Sequence, residues 1–268
     1  MSPNGAPRSL VLDVPVDRLT MEQALGRVQQ SIESRRPLQI GVVNAAKVVN
    51  MRRDPELRNA VLGCDLILAD GMSVVWASRV LGKALPERVA GIDLMHGILG
   101  LAHRRGHRVY CLGATPAVLD RALASIRAVY PDAPIAGAHH GYFEASGEEE
   151  VAERIRQANP DVLLVAMTSP KKERFIARWG RRMDVPVVHG VGGSFDVLAG
   201  KVKRAPRVFQ RLGLEWLMRM LQEPRRLFTR YLVTNTVFVS LVLRQLVRGP
   251  AGLPRQDGGA LGDSGSAQ

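Results

Sequence analysis

Short apolar runs alternate with segments whose apolar positions recur every three to four residues, and this pattern persists to about Val191. Leu10–Val16 reads as a strand. Leu38–Val43, Leu66–Ala69, Arg108–Leu112, Val162–Met167 and Pro186–Val191 read as buried strands rich in Val, Ile and Leu. Thr20 opens a helix: Gln23, three residues on, completes a capping-box pattern, and Leu25, Val28 and Ile32 make one face. Helical stretches follow at Val48–Arg53 and Glu56–Leu62, the second opened by Asp54-Pro55. Pro116–Tyr130 takes Thr115 as its cap, and Pro170–Arg182 takes Ser169. This alternation predicts an α/β fold: a mainly parallel, Rossmann-like sheet with helices on both faces.

The pattern changes after Gly200. An Arg-rich, Trp-containing helical region leads into Tyr231–Leu243, which is apolar apart from Thr234, Asn235, Thr236 and Ser240. That stretch falls short of the ~20 apolar residues of a membrane span and reads as an interfacial or docked helix. Beyond Gly249 the chain is rich in Gly, Ser, Pro and Gln and is expected to be disordered. The expected organisation is an α/β core over 1–213, a basic helical membrane-proximal appendage over 214–248 and a tail over 249–268.

Composition adds two constraints. The 268 residues are 46% hydrophobic, enough for one large core with an appendage. The polar start, Met1–Arg8, predicts no signal peptide. Cys64 and Cys111 sit in apolar runs, as expected of buried thiols in a reducing, cytoplasmic compartment. The net charge of +12 is concentrated: eleven basic residues between Lys201 and Arg248 face Glu215 and Glu223, leaving +9 in that stretch. A basic end of this kind suits phosphates, nucleic acid or an acidic membrane surface.

In a parallel sheet ligands bind beyond the carboxyl ends of the strands. The loops expected there are Asn44-Ala45, Asp70-Gly71, Gly113-Ala114-Thr115, Thr168-Ser169-Pro170 and Gly190–Asp196. Asp70 could be a general base or simply a helix cap. Asn44 could bond a sugar or a turn. Gly192 and Gly193 could let backbone amides approach a phosphate with Asp196 on a ribose, or form a tight turn with Asp196 capping the next helix. Lys171-Lys172-Glu173 could face an anion or be a solvated first turn. Arg219, Arg226 and Arg230 recur at helical spacing, interrupted by Pro224, and could clamp a diphosphate or face solvent. No D-x-D occurs and the six histidines show no metal-ligand spacing; His139 and His140, adjacent on a strand, would point to opposite faces. Neither a catalytic metal nor a cofactor is expected, so arginines or helix N-termini would have to balance a departing diphosphate.

Taken in order, a series of segments resembles the WecG/TagA/CpsF family of bacterial glycosyltransferases. They are Asn44–Lys47, Asp54–Arg58, Ala69–Ser78, Gly91–Asp93, Leu112-Gly113, Gly141–Phe143, Ser169–Glu173, Gly190–Asp196, Arg204–Pro206, Leu214–Trp216 and Glu223–Arg226. The resemblance spans roughly Val42 to Tyr231. It implies inverting, metal-independent transfer of N-acetylmannosamine, its uronic acid or a hexose from a UDP-sugar. The implied acceptor is a saccharide on a polyprenyl diphosphate, in assembly of teichoic acid, enterobacterial common antigen or exopolysaccharide. Asp70 matches the family's proposed base, and Asn44 and Lys172 lie at its sugar site. Gly113, Gly192, Gly193 and Asp196 match its nucleotide end. Arg219, Arg226 and Arg230 fall in its C-terminal appendage, implied to close over the site on the inner face of the cytoplasmic membrane. A homo-oligomer is compatible with the sequence.

Two departures stand out. Val42-Val43-Asn44 replaces a common Thr-Pro-Asn, and Lys172 replaces the glutamine of a common G-x-P-K-Q-E; both lie near the implied sugar site, which leaves a plain hexose or a uronic acid open as donor, with Lys172 suited to an acidic group. Two rivals remain at this stage. A nucleic-acid-binding protein would need stacking aromatics, and aromatics are only 5% of the chain. A non-catalytic nucleotide-binding subunit of a polysaccharide assembly complex would be expected to lack the Asp70 carboxylate.

Overall fold

The computed structural model describes residues 7–211, 213–222 and 224–248; the tail expected over 249–268 lies outside them. The chain begins with β1 (Arg8–Val11) and β2 (Val14–Asp17), an antiparallel hairpin where the sequence predicts one continuous strand. Leu12 and Asp13 turn the chain with φ of 50° and 64°, the double left-handed geometry of a two-residue hairpin. Neither turn residue is Gly or Asn, and Leu12 is itself buried, so the apolar run hides the reversal. Asp17 anchors the hairpin: its Oδ1 accepts from Arg8 Nε at 2.9 Å and its Oδ2 from Ile67 N at 2.7 Å.

Next come α1 (Met21–Ser34), β3 (Leu38–Val43), α2 (Ala45–Met51), α3 (Pro55–Leu62) and β4 (Leu66–Ala69). The capping box at Thr20 forms as expected. The helix expected at Val48–Arg53 starts earlier, because Asn44 Oδ1 caps it by accepting from Lys47 N at 3.0 Å. Then follow α4 (Met72–Val80), α5 (Gly91–Arg105), β5 (Val109–Gly113), α6 (Pro116–Val129), β6 (Ile135–His139) and α7 (Glu148–Gln157). The series ends with β7 (Val162–Ala166), α8 (Lys171–Trp179), β8 (Val187–Gly190), α9 (Ser194–Leu198), α10 (Arg207–Arg211), α11 (Glu215–Gln222) and α12 (Pro224–Arg248). Pro170, not Ser169, occupies the N-cap position of α8, and neither it nor Thr115 at α6 caps through its side chain.

Strands β3 to β8 form a parallel sheet in the order β4-β3-β8-β7-β5-β6. Alternate residues feed two faces. Ile40, Val42, Val109, Cys111, Val162 and Leu164 pack against α1, α5 and α6. Val43, Ile67 and Ala69 pack against α2, α3 and α4, while Leu163, Val165 and Val188 meet α7 and α8. Strands buried on both faces carry unbroken apolar runs, which is why the sequence marks them well.

The helix order places two crevices at the carboxyl rim. Adjacent strands β3 and β8 send the chain to opposite faces, through α2 and α9, and β5 and β7 do so through α6 and α8. Such divergence opens a cleft where a ligand can enter. The C-terminal helix α12 docks on α2, burying Phe238 in the cluster around Val48 and Val49. Its other side exposes Leu232, Val239, Leu243 and Leu246. Among the described residues no helix is long and apolar enough to cross a membrane.

Candidate functional site

Asp70 sits one residue past β4, its N–H donating to Val43 O at 2.9 Å. Its Oδ1 accepts from the N–H of Gly91, the first residue of α5, at 2.8 Å. Its Oδ2 has only a 3.5 Å approach from Asn44 Nδ2, at the limit of hydrogen bonding. One oxygen is therefore held and the other is left able to take a proton. Asp70 does not cap α4, whose N-cap is Gly71 without a side-chain bond.

Gly91 joins three strands. Its carbonyl accepts from His189 Nε2 of β8 at 3.0 Å, and a Cβ built on it would lie 3.7 Å from the Val42 methyls of β3. The start of α5 thus spans the ends of β4, β3 and β8, setting Asp70 against the β3/β8 crevice. Burial holds the fully enclosed His189 ring down at about 4, so it is a neutral donor to that carbonyl.

The opposite face of the same crevice carries buried charge. Glu173 Oε1 accepts from Lys47 Nζ at 2.8 Å and lies 3.4 Å from Lys172 Nζ, and all three residues are buried. Lys172 and Glu173 are therefore not a solvated first turn. Burial alone would raise the Glu173 carboxyl, but Lys47 and Lys172 outweigh it and hold it at about 2. Burial, with Lys47 beside it, pulls the Lys172 ammonium down to about 8, partly offset by Glu173 and Asp70. Gly41 and Gly190 make room on the two strands. A Cβ on Gly41 would meet Cys64 Sγ at 2.9 Å, and one on Gly190 would meet Lys172 Cδ at 2.8 Å. A cavity of about 20 Å³ bordered by Lys47, Lys172 and Glu173 fits one water. Burial pushes the Cys64 thiol beside it up to about 12, leaving it unreactive.

The loop after β8 turns at Gly192, φ +54°. Gly193 is the N-cap position of α9, and Asp196 lies inside that helix, paired with Lys201 at 3.2 Å, rather than capping it. Gly113, φ +123°, ends β5 at the second crevice, where a Cβ would lie 2.5 Å from Ala166 C. Lys171 Nζ donates to Gly141 O and Phe143 O at 3.2 and 2.9 Å, fixing the loop after β6. His140 falls past the end of β6, and its ring stacks 4.6 Å from that of His139 rather than pointing away. Among the described residues no three His, Cys, Asp or Glu side chains come together as a metal site.

Asn44 and Asp70 therefore approach each other at the ends of β3 and β4, and the Lys172 ammonium reaches the Gly192 turn after β8; Gly193 and Asp196 follow in α9, and Gly113 ends β5 at the neighbouring crevice. Arg219 falls in α11 and Arg226 and Arg230 in α12, but their side chains lie outside the described residues. Sequence reasoning assigned no role to Lys47, His189 or Gly91. It also missed a network that ties α11 to the core. Arg88 Nη2 lies 2.7 Å from Glu215 Oε2, and Arg204 bonds Asp93 at 2.7 and 2.8 Å and Glu215 at 3.4 Å. Only the basic-acidic alternation of these segments hints at it.

A family model described as the glycosyl transferase WecG/TagA/CpsF family matches residues 10–252. The chain belongs to this family. It is a glycosyltransferase. One relative is an N-acetylglucosaminyldiphosphoundecaprenol N-acetyl-beta-D-mannosaminyltransferase of Bacillus spizizenii (strain W23). It is 36% identical over 192 residues, 72% of this chain and 73% of the relative. A protein of the same name from Staphylococcus aureus (strain MW2) is 34% identical over 219 residues, 81% and 85% of the two chains. In this glycosyltransferase the loops with Asn44, Asp70 and Gly192 leave the carboxyl rim of the sheet, where the fold opens its crevices.

Proposed function

We propose that this glycosyltransferase moves a sugar from a UDP-sugar to a saccharide carried on a polyprenyl diphosphate, with inversion and without a metal ion. The acceptor class follows from the relatives' names, which specify an N-acetylglucosamine on diphosphoundecaprenol. Asp70 takes the proton of the acceptor hydroxyl as that oxygen attacks the anomeric carbon from the face opposite UDP. Asn44 and Lys172 position the sugar, and the nucleotide lies against Gly113, Gly192, Gly193 and Asp196. Arg219, Arg226 and Arg230 balance the leaving diphosphate. Residues 214–248 act as a membrane-proximal appendage, their basic and apolar groups holding the enzyme at the inner face of the cytoplasmic membrane.

One observation carries the reading: a carboxylate with one oxygen tethered at 2.8 Å and the other nearly unpartnered, at the rim of a parallel sheet beside a glycine turn. Asp70→Asn preserves the shape and removes the base. In EDTA-containing buffer, UDP release in the presence of a polyprenyl-diphosphate-linked N-acetylglucosamine should drop at least a hundredfold, on the order of general-base contributions. UDP affinity by calorimetry should stay unchanged. Near-normal turnover of the variant would refute Asp70 as base, and loss of wild-type activity in EDTA would refute metal independence.

A further inference from the structure

Strand β8 carries an imidazole deep in the sheet, beside Val187 and Val188, and all three side chains are buried. A polar ring in such a place costs free energy unless a hydrogen bond offsets it. The bond that His189 makes runs from Nε2 to Gly91 O at 3.0 Å, while Nδ1 is buried without one. A carbonyl oxygen only accepts, so the proton of the neutral ring is on Nε2. The helix itself does not call for this contact. Gly91 is the first residue of α5, and the carbonyl at that position already faces the N–H four residues along. The imidazole therefore adds a second hold on a carbonyl that the helix already provides for.

Gly91 is also the residue that tethers Asp70. Its N–H is one of the donors a helix start leaves without an intrahelical partner, and it donates to Asp70 Oδ1 at 2.8 Å. Two short hydrogen bonds thus run from His189 through Gly91 to Asp70. They reach from β8 to the end of β4, with β3 between the two strands. Other fastenings of this helix end act two residues away on either side. Val89 N donates to Ala69 O at 2.9 Å, and Arg204 holds Asp93 at 2.7 and 2.8 Å. The ring acts on Gly91 itself, and a shift of Gly91 would carry the tethering N–H with it.

We propose that His189 is a positioning residue for the transfer reaction, fixing Gly91 so that its N–H orients Asp70 with the other carboxylate oxygen towards the acceptor hydroxyl. This rests on the reading of Asp70 as the base and deepens it. The ring is enclosed, so it acts through Gly91 rather than on the substrate. Positioning matters at this level because a misplacement of about 1 Å can cost on the order of a hundredfold in rate.

The test uses the full chain with UDP-N-acetylmannosamine and N-acetylglucosamine on a polyprenyl diphosphate. His189→Met, which fills the space without a donor, should lower kcat by about tenfold with both KM values and UDP affinity within about twofold. His189→Gln restores a donor and should bring kcat back to within about threefold of the wild type. Added to Asp70→Asn, His189→Met should cost less than about twofold more, because no base remains to be oriented. An unchanged kcat in His189→Met overturns the proposal, as does a loss confined to KM or a folded His189→Gln that does not recover. An equal loss with and without the Asp70 carboxylate also overturns it and makes the ring a purely structural group. Nitrogen NMR of the labelled wild type needs no variant: at pH 7 His189 should be the neutral Nε2–H tautomer, and a ring protonated on Nδ1 overturns the proposal. Near-normal turnover by Asp70→Asn would instead defeat the base reading and this inference with it, whereas a disabled Asp70→Asn beside an unimpaired His189→Met defeats this inference alone.

Discussion

His189 shows how a single buried side chain couples the site to the stability of the fold. Its ring is enclosed, donates to Gly91 O, and is held by burial at about 4 instead of its ordinary 6.5. As pH falls from 6.5 towards 4 the unfolded chain takes up a proton that the fold refuses. The contribution of the neutral ring is therefore complete above about 6.5 and is lost through that window, by about 3 kcal/mol in total. Glu173, held at about 2, loses its contribution only at lower pH, between its ordinary 4.5 and 2. Urea unfolding at pH 7 and pH 4.5 should show the wild type losing about 2 kcal/mol more than His189→Gln, which keeps a donor for Gly91 without the titrating ring. Equal losses would mean that the ring is not held neutral. Asp70 and Asn44 belong to the same scale and were legible in sequence, because a polar residue directly after a buried apolar strand marks the rim of a parallel sheet.

Between elements, the four-charge network is the firmest link from α11 to the core. Glu215 at the start of α11 engages Arg88 and Arg204, and Arg204 also holds Asp93 in the first turn of α5. That turn begins with Gly91, whose N–H tethers Asp70. The docking of α11 and the support of the carboxylate thus share one helix end. The groups are only partly exposed, so the network is worth more than a surface pair, about 1–2 kcal/mol for the loss of Glu215, which leaves two guanidinium groups facing one carboxylate. Glu215→Gln should therefore speed amide hydrogen exchange in residues 215–222 about tenfold or more, with β3 and β8 unaffected. Unchanged exchange in α11 would show that its apolar contacts alone hold it. This link joins positions over a hundred residues apart and has no signature in the local pattern of any one segment.

Across the whole molecule, α12 serves two surfaces. One side inserts Phe238 into the cluster of α2, while Leu232, Val239, Leu243 and Leu246 remain exposed along the other. An exposed apolar row on a basic helix is the arrangement expected of a helix lying at a membrane surface. Replacing Leu232, Val239 and Leu243 with Gln leaves the buried side intact. Sedimentation with vesicles containing anionic lipid should then fall at least tenfold, and transfer to a lipid-linked acceptor should fall with it while UDP affinity holds. Undiminished vesicle binding would refute α12 as a membrane contact. Deleting everything after Gly213 would be a poorer test, because it also strips Phe238 from the core.

The chain's own pattern determined the α/β class, most strand positions, the capping box at Thr20 and the rim residues Asp70 and Asn44. Each of these depends on residues close in sequence: an apolar run long enough for a doubly covered strand, or a cap within one helical turn. Only the tertiary structure decided the strand order, the hairpin concealed in Leu10–Val16 and the burial of Lys172 and Glu173. It alone joined Lys47 to Glu173 across 126 positions. A crossover leaves no local mark of the neighbour it will choose, and a lysine in a first helical turn reads as solvated until the opposing helix is known to cover it. The proposed site depends on that convergence, since its carboxylate, glycines and buried ammonium groups come from four strand ends that meet only once the sheet is ordered.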